Sequence, residues 1–290
     1  MIYLAESGST KCDAVLINED GTVFEEIKHM GFNPFFHSSE LVFNELSKIE
    51  TIRMYADKIS KVFFYGAGCE SPYYNEIIAA GLRKVFSNAT VHVDHDLKAA
   101  AYATYNGNPE IACIIGTGSN SCYFDGNELF QEVPALAYIL GDEGSASWLG
   151  KKLIAMYFYK QLPKEVSEDF RNTYKMEKAD IFRRVYNEPY ANVFLASFSL
   201  FVYKHINLPI FQQIVKEGFE LFLKTHVLSY KNAREVEINF VGSVAYHFRK
   251  YLFEVADSLG LKITNVIQKP LEGLINYHIK YMKILENSEA

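Results

Sequence analysis

The sequence predicts an α/β protein of two domains, each opening on the same three-stranded meander. Its 290 residues amount to about two domains of roughly 150 residues each. Apolar residues make up 49% and aromatic ones 15%, enough for a core in each domain and too many for a disordered chain. A glycine-rich turn between short apolar strands occurs twice, and aligning Gly8 with Gly118 gives an offset of 110 residues, about one domain.

In the first unit, Ile2 to Ala5 reads as a buried strand, Glu6-Ser7-Gly8-Ser9-Thr10-Lys11 as a turn and Ala14 to Ile17 as the returning strand. Asp20-Gly21 then turns the chain into Thr22-Val23-Phe24. Leu41, Leu46 and Ile49 mark a helix, and Val62 to Tyr65 a buried strand ending in Gly66-Ala67-Gly68. Pro72 suits the first turn of a helix carrying Ile77, Ile78, Leu82, Val85 and Phe86. Strand Val91-His92-Val93 and an alanine-rich helix from Leu97 to Tyr105 complete the unit, and Asn106-Gly107-Asn108-Pro109 breaks it off. This order predicts a mixed sheet, antiparallel in the meander and parallel through the helical crossovers.

The second unit repeats the meander with Ile111 to Ile115, the turn Gly116-Thr117-Gly118-Ser119-Asn120-Ser121, strand Cys122 to Phe124, the turn Asp125-Gly126 and Glu128-Leu129-Phe130. Helix dominates from Ala146 through Leu228, and the uncharged stretch from Tyr190 to Tyr203 reads as a buried helix. It is shorter than the about 20 apolar residues of a membrane span. Strands Glu237 to Val241 and Lys262 to Val266 follow, and Pro270 opens a last helix from about Leu271. The expected domains are 1–106 and 107–274, the second with helical insertions, and a C-terminal helix over 275–290 completes the first.

Several function classes are excluded by composition. A net charge of −6 argues against counterion-release binding to nucleic acid and against anionic membranes. Cys12, Cys69, Cys113 and Cys122 form no C-x-x-C pair, so neither a zinc nor an iron–sulfur site is expected. The N-terminus has no basic region followed by a long apolar run. A reducing, cytoplasmic setting is expected.

The chemistry concentrates in a few short segments. The two turns can aim backbone N–H groups and hydroxyls at one anion from opposite domains, and a nucleotide polyphosphate fits such a clamp. Ser9, Thr10 and Lys11 in the first turn and Gly116, Thr117, Gly118 and Ser119 in the second are the candidates; ordinary hairpin turns are the plain alternative. Neither has Walker spacing. In His92-Val93-Asp94-His95-Asp96, strand alternation would put His95 on the face opposite His92, Asp94 and Asp96, which disfavours a metal site. A carboxylate at that strand end can instead act as general base for a substrate hydroxyl, or simply cap the next helix. Gly141-Asp142-Glu143-Gly144-Ser145 brings two carboxylates close to a ligand between glycines, suiting vicinal sugar hydroxyls, or it turns the chain into a helix. Asn33, held extended by Pro34, offers a donor and an acceptor. Gly242-Ser243, between a strand and a helix, leaves room for a flat adenine.

With these segments in this order, the chain resembles the sugar-kinase, Hsp70 and actin ATPase superfamily, and within it the N-acetylglucosamine kinase branch grouped with the BadF/BadG activator ATPases. The resemblance spans nearly the whole chain, including Gly31-Phe32-Asn33-Pro34 and Asp96-Leu97-Lys98-Ala99-Ala100. It implies two duplicated ribonuclease-H-like domains with mixed five-stranded sheets and an interdomain cleft that binds ATP and Mg²⁺. By resemblance, Glu6 to Lys11 and Gly116 to Asn120 are the phosphate loops, and Gly242, Ser243 and Ala245 belong to the adenosine segment. Asp96 is the general base; Asn33, Asp142 and, in a supporting role, Glu143 meet an amino sugar. Glu6 stands where many relatives carry Asp and is the implied metal residue. The paired cysteines of the iron–sulfur activators and the cysteine-rich zinc motif usual in ROK kinases are missing. A catalytically silent sugar or nucleotide sensor, or a BadF-type activator ATPase, remains the alternative, and a homodimer stays open.

Overall fold

Strand β1 (Ile2–Ser7) is the spine of the first sheet, and the reason is compositional: Ile2, Tyr3, Leu4 and Ala5 form a nearly continuous apolar run, as in strands covered on both faces. It pairs antiparallel with β2 (Lys11–Ile17), which pairs antiparallel with β3 (Val23–Met30). On its other side β1 runs parallel to β4 (Lys61–Gly66), itself parallel to β5 (Thr90–His95). The order is β3-β2-β1-β4-β5. Edge strand β3 exposes Glu25, Glu26 and Lys28, charges that discourage pairing with another chain.

The second sheet repeats this plan around β6 (Glu110–Ile115). Strands β7 (Ser119–Phe124) and β8 (Leu129–Phe130) complete its meander, and β9 (Glu237–Val241) and β10 (Ile263–Ile267) add the parallel half. Its order, β10-β9-β6-β7-β8, is the first sheet's order with each strand replaced by its counterpart. The protein is thus α/β, with two mixed five-stranded sheets flanked by helices.

This computed structural model describes residues 1–8 and 10–283, so Ser9 and the 284–290 part of the expected C-terminal helix lie outside the described residues. Two compact units divide the chain: Met1–Tyr105 together with the chain from Pro270 on, and Asn106–Lys269. Helix Leu271–Lys280 packs on helix Asp96–Thr104, where Gly273 lies so close to Ala103 that a Cβ would sit 2.1 Å from its carbonyl oxygen. Tyr277 stacks on Tyr102 at 4.0 Å, and buried His278 bonds the Tyr65 hydroxyl through Nε2 at 2.9 Å. Among the described residues no helix is long and apolar enough to cross a membrane.

Two local expectations change. The first turn is tighter than Glu6 to Lys11, because Glu6 and Ser7 still belong to β1, Lys11 already opens β2, and buried Ser7 pairs with Cys12 across the two strands. The stretch from Tyr190 to Tyr203 is two short helices, Ala191–Ser197 and Ser199–Lys204, rather than one buried helix. Ser197 Oγ donates to the Phe194 carbonyl at 2.6 Å, a local bond that competes with the helical ladder, and Leu200 and Tyr203 face solvent.

Candidate active site

In the first unit the site builds up around the end of β1. Glu6 is half-buried and directly opposite Asp13 in the register of β1 and β2, so the two carboxylates share one face of the sheet. Ser7 Oγ accepts the Phe32 N–H at 2.8 Å. Gly31 lies against the turn: a Cβ there would be 2.0 Å from the Gly8 carbonyl oxygen. The segment Gly31 to Pro34 therefore backs the glycine turn, a contact that needs a bare Cα. Thr10 and Lys11 are exposed beside it.

Asn33 is buried, at 7% exposure, and its side chain is half used. Oδ1 accepts the Phe35 N–H at 2.9 Å, the local Asx turn that an unliganded loop asparagine would make. The amide Nδ2 has no bond among the described residues and is left as a donor. Gly68, at φ +81°, passes so near that a Cβ would meet Asn33 Oδ1 at 2.7 Å. Asp96 interacts electrostatically with Glu70 and Cys69 of the same glycine loop. Thus Asn33 and Asp96, 63 residues apart in sequence, both border the loop after β4.

Asp96 is the first residue of helix Asp96–Thr104, and His95, not Asp96, is the cap. The chain leaves the strand at His95, so the alternation argument for this segment stops one residue short of Asp96. Burial pushes the Asp96 carboxyl above its usual 3.8; His95 opposes the rise, Glu70 adds to it, and the Leu97 N–H favours the charged form. A carboxylate raised in this way is better matched to proton abstraction near neutral pH.

In the second unit the turn after β6 and the Gly141 to Ser147 segment are bolted together. Asp142 Oδ1 accepts the Ser119 N–H at 3.1 Å, and Ser119 Oγ donates to the Glu143 carbonyl at 2.9 Å. The Ala146 and Ser147 N–H groups donate to the carbonyls of Gly116 and Thr117 at 2.9 and 3.1 Å. Asp142 has φ +59°, a left-handed conformation that Asp tolerates better than most residues and that here turns its carboxylate onto the glycine loop. Burial raises its carboxyl above the usual value; the Ser119 bond and Lys151 oppose that.

This arrangement redistributes roles among the expected residues. Ser119, 4% exposed, spends both donors on the 142–143 segment. Gly118 is bare because Asp142 fills the space: a Cβ would lie 2.8 Å from Oδ1. Gly116 has nothing within 4 Å on its open side, so a ligand can approach its backbone. Thr117 is half-buried between them. Gly242, at φ +126°, brings the end of β9 to the same loop, where a Cβ would be 2.4 Å from the Ile115 carbonyl oxygen. Ser243 is exposed there, whereas Ala245 is buried in the core of the unit.

Three contributors escaped the sequence reading. Asp13 carried no motif of its own and becomes visible only through its register with Glu6. Ser147, whose Oγ lies 3.5 Å from Asp142 Oδ2, was signalled by the Ser-Ala-Ser run that opens helix Ala146–Phe158. His226, 3.0 Å from Glu143 Oε2, had no local signal, being 83 residues away.

Among the described residues no group of three or more His, Cys, Asp or Glu side chains is arranged to hold a metal ion. A Mg²⁺ ion is held through one or two carboxylates, with phosphates and water supplying the rest. The Glu6 and Asp13 pair on one face, next to a glycine turn, fits such a donor set.

Two copies of one mixed sheet, each with a glycine turn after its central strand, define the actin-like ATPase class. The chain belongs to the sugar kinases of that class. It is 37% identical to the "putative N-acetylglucosamine kinase" of Porphyromonas gingivalis, over 97% of this chain and 100% of that one, with a TM-score of 0.91. The "putative N-acetylglucosamine kinase" of Chromobacterium violaceum shares the fold at 13% identity, covering 95% and 98% of the two chains, with a TM-score of 0.68. So does a ROK family glucokinase from Streptomyces griseus in complex with glucose and AMPPNP, at 12% identity, 95% and 97% coverage and a TM-score of 0.53. No protein-family model matches the chain, and no curated protein does.

Proposed function

We propose that this protein is an ATP-dependent kinase of the branch grouped with the BadF/BadG ATPases, phosphorylating a hydroxyl of an N-acetylated amino sugar, with N-acetylglucosamine the leading acceptor. The observation that carries the reading is the 37% identity, over 97% of this chain and all of the other, to a protein described as an N-acetylglucosamine kinase candidate. The complex of the more distant glucokinase with AMPPNP supports ATP as the donor.

In this reading Asp96 accepts the proton of the acceptor hydroxyl as its oxygen bonds the γ-phosphorus and the bond from that phosphorus to the β–γ bridging oxygen breaks, leaving ADP. The raised carboxyl of Asp96 supports that role. Asn33 Nδ2 and the 142–143 carboxylates read the sugar. The backbone of the Gly8 and Gly116 turns, with Thr10, Lys11 and Thr117, holds the phosphates, and Gly242 and Ser243 border the adenosine. Mg²⁺, held through Glu6 and Asp13, neutralises phosphate charge when bound. The cytoplasm, which supplies ATP, is the expected setting.

A coupled ADP-release assay over amino sugars and hexoses tests the proposal, with release expected above the ATP-only rate for N-acetylglucosamine. Calorimetry showing sugar binding without ADP production for any acceptor would replace it with a silent sensor.

A further inference from the structure

Glu143 and Asp142 are neighbours in sequence but differ in what they leave open. Both Asp142 oxygens are engaged inside the unit, by the Ser119 N–H and the Ser147 hydroxyl. Glu143 is bonded through one oxygen only: His226 Nε2 lies 3.0 Å from Oε2, and Oε1 has no bond among the described residues. A carboxylate only accepts, so Nε2 carries the proton in this pair. The Glu143 side chain is 23% exposed, whereas that of His226 is 4% exposed.

His226 is held too firmly to be an incidental neighbour. It sits in the π-helical turn Leu223–Val227 that ends helix Pro209–Phe222, and such turns re-aim side chains out of the regular helical spacing. Its carbonyl accepts the Ser121 hydroxyl at 2.9 Å, tying the turn to β7. Its ring stacks on Phe222 at 5.1 Å. The same helix touches the Glu143 loop through two glycines, where a Cβ on Gly218 would be 2.8 Å from the Gly144 Cα. Among the described residues the ring's other nitrogen, Nδ1, is buried without a partner. Leaving a buried nitrogen unmet is unfavourable, so the ring is held here by its bond to Glu143 and by packing.

We infer that His226 is a positioning residue: it clamps Oε2 of Glu143 so that Oε1 is presented as an acceptor for a ligand hydroxyl. This rests on the amino-sugar kinase reading for the identity of that ligand, but the clamp itself is a property of the ligand-free protein.

Three variants test it. His226→Leu removes the donor, His226→Gln retains an N–H near the same place, and Glu143→Gln removes the carboxylate. His226→Leu is expected to raise the sugar KM about tenfold with the ATP KM unchanged, His226→Gln to recover most of that loss, and His226→Leu to add nothing in a Glu143→Gln background. A sugar KM unmoved by His226→Leu, or ATP and sugar KM rising together, overturns the inference. Imidazole ¹⁵N NMR of the free protein reads the clamp without turnover, the His226 signals being assigned by their loss in His226→Gln. They are expected to shift in Glu143→Gln, and an unchanged signal also overturns it. If wild type phosphorylates no sugar, the kinase reading fails and the NMR arm decides the clamp on its own.

Discussion

The Asp142 carboxylate lies 3.1 Å from the Ser119 N–H, in the space a Gly118 side chain would need. Sequence alone assigns the bareness of Gly118 to an approaching phosphate, but the neighbour is a carboxylate from the loop expected to meet the sugar. Gly118→Ala therefore should disturb both ligands, raising ATP and sugar KM together by about tenfold. Initial rates with each substrate varied in turn provide the check, and a rise in the ATP KM alone would return Gly118 to the phosphates.

Asp96→Asn should lower kcat by at least about 100-fold while leaving stability equal or higher. Burial holds the folded-state carboxyl above 3.8, so the folded protein binds more protons than the unfolded chain just above that value, and stability contributed by this group falls as pH rises through the window. The neutral amide escapes that loss. Thermal melts of the variant alongside kcat test the pairing of effects; a large drop in Tm would mean that the charged carboxylate supports the fold. In wild type, kcat/KM should decline as pH falls through the raised value.

Asn33 separates fold from recognition because its two side-chain ends have different work. Asn33→Asp keeps an acceptor for the Phe35 N–H but removes the Nδ2 donor. Sugar affinity should fall by about 1–3 kcal/mol while ATP affinity and Tm hold. Calorimetry with each ligand alone tests this, and undiminished sugar binding would leave Asn33 as a turn residue only.

Glu6→Gln should sharply reduce turnover and shift the Mg²⁺ titration to higher concentration, whereas Glu6→Asp should keep a measurable part of both, since Mg²⁺ retains waters through which a shorter carboxylate can act. Identical metal dependence in all three proteins would remove Glu6 from the metal.

His278 predicts an acid-sensitive first unit. Burial, with His92 adding to it, pushes its imidazole from 6.5 down to about 3. The unfolded chain takes up this proton near 6.5 and the folded chain does not until far lower, so stability is present above that value and lost as pH falls through the window. Melts between about pH 7 and 5 should show the Tm falling, and His278→Gln, which keeps a partner for the Tyr65 hydroxyl, should flatten the slope. Parallel slopes would assign the acid sensitivity to other groups.

The strands were legible because each central strand is a short apolar run bounded by a turn, and the doubled meander fixed their order; their bounds were less so, since β3 continues through its charged edge residues to Met30 and β7 already begins at Ser119, inside the expected turn. The helices between 191 and 204 were not legible, because hydropathy does not register the Ser197 back-bond that divides them. At the candidate site, Asp142 and Asn33 were singled out by local motif, but their internal bonds were not legible, and neither was His226, since all of these depend on which distant backbone the fold brings alongside.

The helix Leu271–Lys280 has a consequence for how the protein is made. Gly273, Tyr277 and His278 complete the packing around Ala103, Tyr102 and Tyr65, yet some 160 residues of the other unit, Asn106–Lys269, are synthesised in between. On the ribosome, the unit holding Met1–Tyr105 must wait with that surface uncovered until Leu271–Lys280 has been made, while the unit begun second has all of its strands in hand first. Vectorial synthesis and folding therefore run in opposite order here, and an interrupted chain would carry a finished second unit joined to an unfinished first.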